Sequence, residues 1–95
     1  MDNKGTKGMA KIAMLSVDLH LAGAKRPVFN EELKTKNWKK LLKLTTVWTT
    51  NFKEGTTITG IINRAKTDVK AAAKTAKITR YDAVVHVGDS SPTVF

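Results

Sequence analysis

One segment of the chain constrains the fold more than any other, because its apolar residues all fall on one side of a helix. The segment covers residues 57–77, with Thr56 or Thr57 as the N-cap. At 100° per residue, its apolar side chains lie within about 100° of one another. They are Ile58, Ile61, Ile62, Ala65, Val69, Ala72, Ala73 and Ala76. This stripe has to pack against a second layer of structure, and the alanines of its later turns favour a close approach to a sheet.

Three other segments have the composition and alternation of β-strands. Residues 10–21 alternate, and their odd-numbered positions from residue 13 onward are all apolar. Residues 45–52 are rich in β-branched side chains and place Trp48 and Phe52 on the same face. Residues 79–87 alternate again before a glycine. These patterns predict a sheet of at least three strands.

A second helix is predicted over residues 30–44. Asn30 is a good N-cap, and Glu31 and Glu32 complement the positive end of the helix dipole. The inward stripe of this helix would be formed by Trp38, Leu41 and Leu42. The opposite side would carry Lys36, Lys39, Lys40 and Lys43.

The order of elements is therefore β-α-β-α-β, which predicts an α+β or small α/β fold. We expect a single domain over residues 9–88, with two helices packed on one face of a three- to four-stranded sheet. A flexible arm (residues 1–8) would precede it, and a tail (residues 89–95) would follow. If each strand–helix–strand unit joined neighbouring strands, the crossovers would be right-handed and the strands parallel. A hairpin within the first thirty residues would instead give a mixed sheet resembling the ferredoxin-like arrangement.

Composition excludes several classes of protein. The chain has no cysteine, which excludes disulfides and thiolate metal ligands and is typical of a reducing compartment or of a protein that is indifferent to redox state. No stretch approaches the roughly 20 consecutive apolar residues of a membrane-spanning helix. We therefore expect a cytoplasmic protein that has no membrane partner.

Candidate catalytic residues are few. His20 and His86 lie near Asp18 and Asp82 on polar strand faces, and they would cluster if the first and last strands were neighbours. The spacing Asp18-x-His20 also arises from strand alternation alone, so we interpret these side chains as facing solvent. The sequence predicts no catalytic residue, no metal site and no cofactor, and therefore a non-enzymatic protein.

The charge distribution gives the main functional prediction. The net charge of +9 arises entirely between residues 33 and 77, because the charges outside this window cancel. Such asymmetry favours an anionic partner, either nucleic acid (DNA or RNA) or an acidic protein surface. The predicted phosphate contacts are Lys36, Lys39, Lys40, Lys43, Lys53, Lys66, Lys70, Lys74 and Lys77. Guanine readout favours the arginine fork, and the chain has only Arg26, Arg64 and Arg80, so binding largely without sequence specificity is predicted.

A different class of function stays open. The chain could be a small effector or inhibitor of the kind that phages and mobile elements encode, or a homodimeric adaptor. In that case Ile12 and Met14, on the even-numbered face of the first strand, would form the interface. Both hypotheses are those of a small basic domain that acts by binding.

Overall fold

The computed structural model describes residues 10–20, 22–41 and 46–89. Within these residues the chain forms four strands, two α-helices and a short 3-10 turn at Gly23–Lys25. In chain order they are β1 (Lys11–Leu19), α1 (Arg26–Thr35), β2 (Lys39–Lys40), β3 (Val47–Phe52), α2 (Ile58–Ala76) and β4 (Tyr81–Gly88). The predicted arm and most of the predicted tail lie outside the described residues, as do Leu42 and Lys43.

The strands form one sheet in the order β2-β3-β1-β4, and every neighbouring pair is antiparallel. The connection from β1 through α1 to β2 passes over β3, and the connection from β3 through α2 to β4 passes over β1. This is the split β-α-β topology of the ferredoxin-like fold. The predicted α+β class, with two helices and a sheet of up to four strands, is confirmed. The parallel alternative is wrong, and the hairpin joins β2 to β3 rather than lying in the first thirty residues.

Both helices pack on one face of the sheet, where the core lies. The odd-numbered residues of β1 from Ala13 to Leu19 are buried there, as the alternation predicts. The largest fully buried side chains are Trp38, Trp48, Phe29, Leu15, Leu33 and Ile61. The even-numbered residues of β1 face the other side of the sheet, which no described helix covers.

The helix α2 follows its sequence signals closely. Thr57 is the N-cap, and its hydroxyl accepts a hydrogen bond from the Gly60 amide at 3.0 Å. The helix ends where Lys77 adopts a left-handed conformation, with φ of 61°. The Ile78 amide then bonds back to the Ala73 carbonyl at 2.8 Å, which is the Schellman pattern of a helix end.

The prediction for the first helix is wrong at both ends. The helix α1 begins before Asn30, at Arg26, with a proline in its first turn. It stops at Thr35 because Asn37 takes a left-handed conformation (φ 71°) and the Trp38 amide bonds back to the Leu33 carbonyl at 3.0 Å. Lys39 and Lys40 therefore belong to an edge strand, not to a helical face.

Candidate nucleic-acid interface

The helix α2 carries a row of exposed lysines on the flank that faces β4. We call Lys66, Lys70, Lys74 and Lys77 the lysine row. Lys66 lines a groove beside Val84 and Val85 of β4, which fixes the direction of this flank. At a rise of 1.5 Å per residue the row spans about 16 Å.

The only acidic residue of α2 points away from this row. Asp68 is buried against the turn that follows α1, where its carboxylate accepts hydrogen bonds from Trp38 Nε1 at 2.9 Å and Arg64 Nε at 3.3 Å. No described carboxylate oxygen lies within the 4.0 Å ion-pair distance of an ammonium of the row. The charge of the row is therefore not neutralised by the described part of the chain.

One further cation extends the row at the C-terminal end of α2. The Lys25 ammonium donates a hydrogen bond to the Lys77 carbonyl oxygen at 2.9 Å, which holds it next to the last lysine of the row. Arg80 is also exposed, but it lines a different depression together with His20 and Asp82. Sequence periodicity could not indicate Lys25, because it lies outside the amphipathic segments.

The lysines predicted on the first helix occupy a different part of the molecule. Lys39 and Lys40 form β2, at the edge of the sheet opposite β4. Lys36 lies within 3.8 Å of the Glu32 carboxylate, and the Lys40 ammonium lies 5.2 Å from the Trp48 ring centroid. Lys53 is exposed just after β3. The two predicted groups of lysines therefore do not form one contiguous surface, and Lys43 lies outside the described residues.

The uncovered face of the sheet offers no platform for stacking bases. Ile12 and Met14 are half-buried there, opposite Asn51 and Thr49 of β3 in the sheet register. All aromatic side chains of the described residues are buried in the core or packed against it. Recognition of single-stranded bases by stacking, which uses exposed aromatics, therefore has no support on this face.

The histidine and aspartate side chains cluster only in part. β1 and β4 are neighbours, and His20 Nε2 lies 2.9 Å from Asp82 Oδ2 and 3.9 Å from Asp18 Oδ2. His86 is opposite Met14 in the register and does not join them. No group of three or more such side chains with the geometry of a metal site occurs within the described ranges.

Comparison with models of known families, with curated proteins and with solved structures finds no match to this chain. No helix among the described residues is long and apolar enough to cross a bilayer.

Proposed function

We propose that the protein binds nucleic acid through the lysine row of α2, without catalysing a reaction. The observation that carries this proposal is the orientation of Asp68. Because this carboxylate is held in the interior by Trp38 and Arg64, it cannot neutralise the exposed ammonium groups. Like charges one helical turn apart repel by about 0.2–0.5 kcal/mol per pair, and phosphates lying along the row would relieve that repulsion.

The contacts are made to phosphates rather than to base edges. The row spans about 16 Å, which is the length of about five base-pair steps of B-DNA. Lysine supplies a point charge rather than the planar fork that reads guanine, and none of the described aromatics is exposed for stacking. Binding is therefore largely independent of sequence and strongly dependent on salt. We place this activity in the cytoplasm, which fits the absence of cysteine.

The test is a salt titration of binding to a mixed-sequence DNA duplex and to an RNA of similar length. The triple variant Lys66→Gln, Lys70→Gln and Lys74→Gln removes three ammonium groups from the row. We expect the slope of log affinity against log salt to become less steep by about 2.7, at about 0.9 per lost phosphate contact. Fluorescence anisotropy at four or more salt concentrations measures the slope.

A matched control removes the same charge from the opposite edge of the sheet. The variant Lys36→Gln, Lys39→Gln and Lys40→Gln has the same net charge as the first variant, so the two differ in where the charge is lost and in the local contacts of Lys36 and Lys40. The control should change the slope by less than about 1. Equal losses in the two variants would show that net charge alone drives binding, and no binding by the unaltered protein at low salt would refute the proposal.

A second candidate function is binding to another protein through the uncovered face of the sheet. It is favoured by Ile12 and Met14, which stay half-buried on a face that no described helix covers. The test is Met14→Lys, followed by affinity capture from nuclease-treated lysate at moderate salt. A partner of defined identity that survives these conditions and is lost with Met14→Lys would favour this candidate.

A further inference from the structure

The strand β4 lies at an edge of the sheet. Among the described residues no strand pairs with its outer side. Its eight residues include neither proline nor lysine, and Val84 is 69% exposed. Long edge strands of this kind are templates for pairing with another chain.

The sheet register shows which backbone groups of β4 point outward. The His20 amide donates to the Arg80 carbonyl at 3.0 Å, and these two residues continue the register of β1 with β4. Hydrogen-bonded pairs alternate in an antiparallel ladder, so the even-numbered residues of β4 bond to β1. The N–H and C=O groups of the odd-numbered residues then point away from the sheet. These are Tyr81, Ala83, Val85 and Val87.

The hydrogen bonds between β1 and β3 agree with this assignment. The Val17 amide donates to the Thr46 carbonyl at 3.0 Å, in register with β3. Odd-numbered residues of β1 therefore bond to β3, which leaves the even-numbered ones for β4.

The outward edge of β4 is complementary to itself. In the antiparallel register that places Val84 opposite the partner's Val84, all four outward residues find a backbone partner. The same register places Asp82 opposite the partner's His86, and the two-fold axis repeats that pair at the other end. Cross-strand apolar pairs stabilise a sheet, and an imidazole N–H can donate a hydrogen bond to a carboxylate on the facing strand. The Asp82 carboxylate is 83% exposed and already lies next to an imidazole, that of His20.

We propose that two copies of this chain pair through β4 to form a continuous eight-stranded sheet with a two-fold axis at Val84. The dimer also covers part of the groove between α2 and β4, a space of about 240 Å3 whose floor includes Leu15 and Val69. Tyr81 and Val85 line this groove and are only half-buried in the single chain.

Dimerisation brings the lysine rows of the two copies to opposite sides of the two-fold axis, because the row lies on the flank of α2 that faces β4. In this respect the inference rests on the proposed function. The facing rows repel each other at low salt, and a nucleic acid lying between them screens that repulsion. The dimer is therefore strengthened by salt when nucleic acid is absent, and by nucleic acid when salt is low.

A single introduced thiol tests the register, since the chain contains no cysteine. Cα atoms of a non-hydrogen-bonded antiparallel pair lie about 4.5 Å apart, within disulfide range. The Val84→Cys protein should form a covalent dimer on mild oxidation about tenfold faster than Asn51→Cys, because pairing raises the effective thiol concentration. Asn51 is a matched control, being exposed on β3 on the uncovered face.

A charge exchange tests the second feature of the register. His86→Glu alone places two carboxylates opposite one another, and Asp82→Lys alone removes the hydrogen-bond acceptor that faces the imidazole, so each should weaken the dimer measured by light scattering. The double variant places a lysine opposite a glutamate and should recover most of the lost association. Recovery occurs only if residues 82 and 86 of different copies face each other.

Two results overturn the inference. One is a monomer at every salt concentration, with cross-linking of Val84→Cys no faster than that of Asn51→Cys. The other is cross-linking of Val84→Cys only after residues 90–95 are removed, which would make the chain's own end the occupant of the edge. The cross-linking is done without nucleic acid, so its failure leaves the lysine row to be judged by the salt titration.

Discussion

The basic residues at the two edges of the sheet differ in the contacts that their side chains make. On the side of α1 and β2, Lys36 is paired with Glu32, Lys40 lies against the Trp48 ring, and Arg64 bonds to Asp68. On the side of α2 and β4, the lysine row has no carboxylate partner within the described ranges. Lysine side chains therefore take part in the packing at one edge, whereas at the other edge they are exposed to solvent or to a ligand.

Packing differs between the two edges in the same sense. On β3 the helix-facing residues Trp48, Thr50 and Phe52 are all buried. On β4 the corresponding residues Tyr81 and Val85 are only half-buried, beside an open groove. We infer that the α1–β2 side mainly supplies stability and the α2–β4 side mainly supplies binding.

The largest expected effect on stability comes from a substitution on the α1–β2 side. Trp38 is 1% exposed, and its indole N–H bonds to Asp68. Trp38→Ala should lower the free energy of unfolding by about 3–5 kcal/mol, because it leaves a cavity and removes a donor from a buried carboxylate. Urea denaturation followed by circular dichroism measures the change.

Two companion variants sharpen this result. Trp38→Phe keeps an aromatic ring but loses the donor and part of the side-chain volume, so it should cost about 2–3 kcal/mol, less than Trp38→Ala. Tyr81→Ala, at the opposite edge, should cost less than about 2 kcal/mol because its ring is half-buried. A Tyr81→Ala protein as unstable as Trp38→Ala would contradict the proposed division between the edges.

Replacing one lysine by glutamate should change stability by a smaller amount, and the sign of the change should differ between the two edges. Lys70→Glu turns two repulsive contacts, with Lys66 and Lys74, into attractive ones and should stabilise the protein by about 1 kcal/mol. Lys36→Glu replaces the attraction to Glu32 by a repulsion and should destabilise the protein by about 0.5–1 kcal/mol. Thermal unfolding at low salt measures both, and the two effects should shrink as salt is added.

Binding provides the control for this pair of variants. Lys70→Glu should weaken binding to duplex DNA, whereas Lys36→Glu should leave it nearly unchanged. A Lys70→Glu protein that is less stable than the unaltered one would indicate that an acidic group outside the described residues already neutralises the row.

The smallest effect concerns the two left-handed residues that end the helices. Lys77 has φ of 61°, a conformation that costs an L-residue about 1–2 kcal/mol and glycine very little. Lys77→Gly should stabilise the protein by about 0.5–1 kcal/mol after the larger chain entropy of unfolded glycine is counted. It should also make the slope of log DNA affinity against log salt less steep by about 0.9.

Asn37→Gly is the matched variant at the other helix end. Asparagine tolerates the left-handed region, so the gain in stability should be smaller, and DNA binding should not change. Equal effects of Lys77→Gly and Asn37→Gly on DNA binding would contradict the proposal that Lys77, unlike the residues near α1, contributes to binding.

Local patterns predicted those elements whose signals lie within one segment. The stripe and N-cap of α2 and the alternation of β1 depend on side chains close in sequence, and the structure agrees with them. The helix prediction for residues 30–44 was wrong because the spacing pattern of a helix and the signal for a helix end overlap in this segment. The spacing of Trp38, Leu41 and Leu42 matches a helix, yet Asn37 ends α1 in a left-handed conformation, and Trp38 is buried through a bond to Asp68, thirty positions away.

The sequence by itself determined the amphipathic face of α2, the inward face of β1, the location of the excess charge and the absence of thiol chemistry. Only the tertiary structure decided the order of the strands, and with it which lysines lie near one another. The physical reason is that strand order depends on hydrogen bonds between distant segments, such as those of β1 with β3 and β4. The position of β4 at the edge and the inward orientation of Asp68 follow from that pairing, and they define the surface on which both proposals rest.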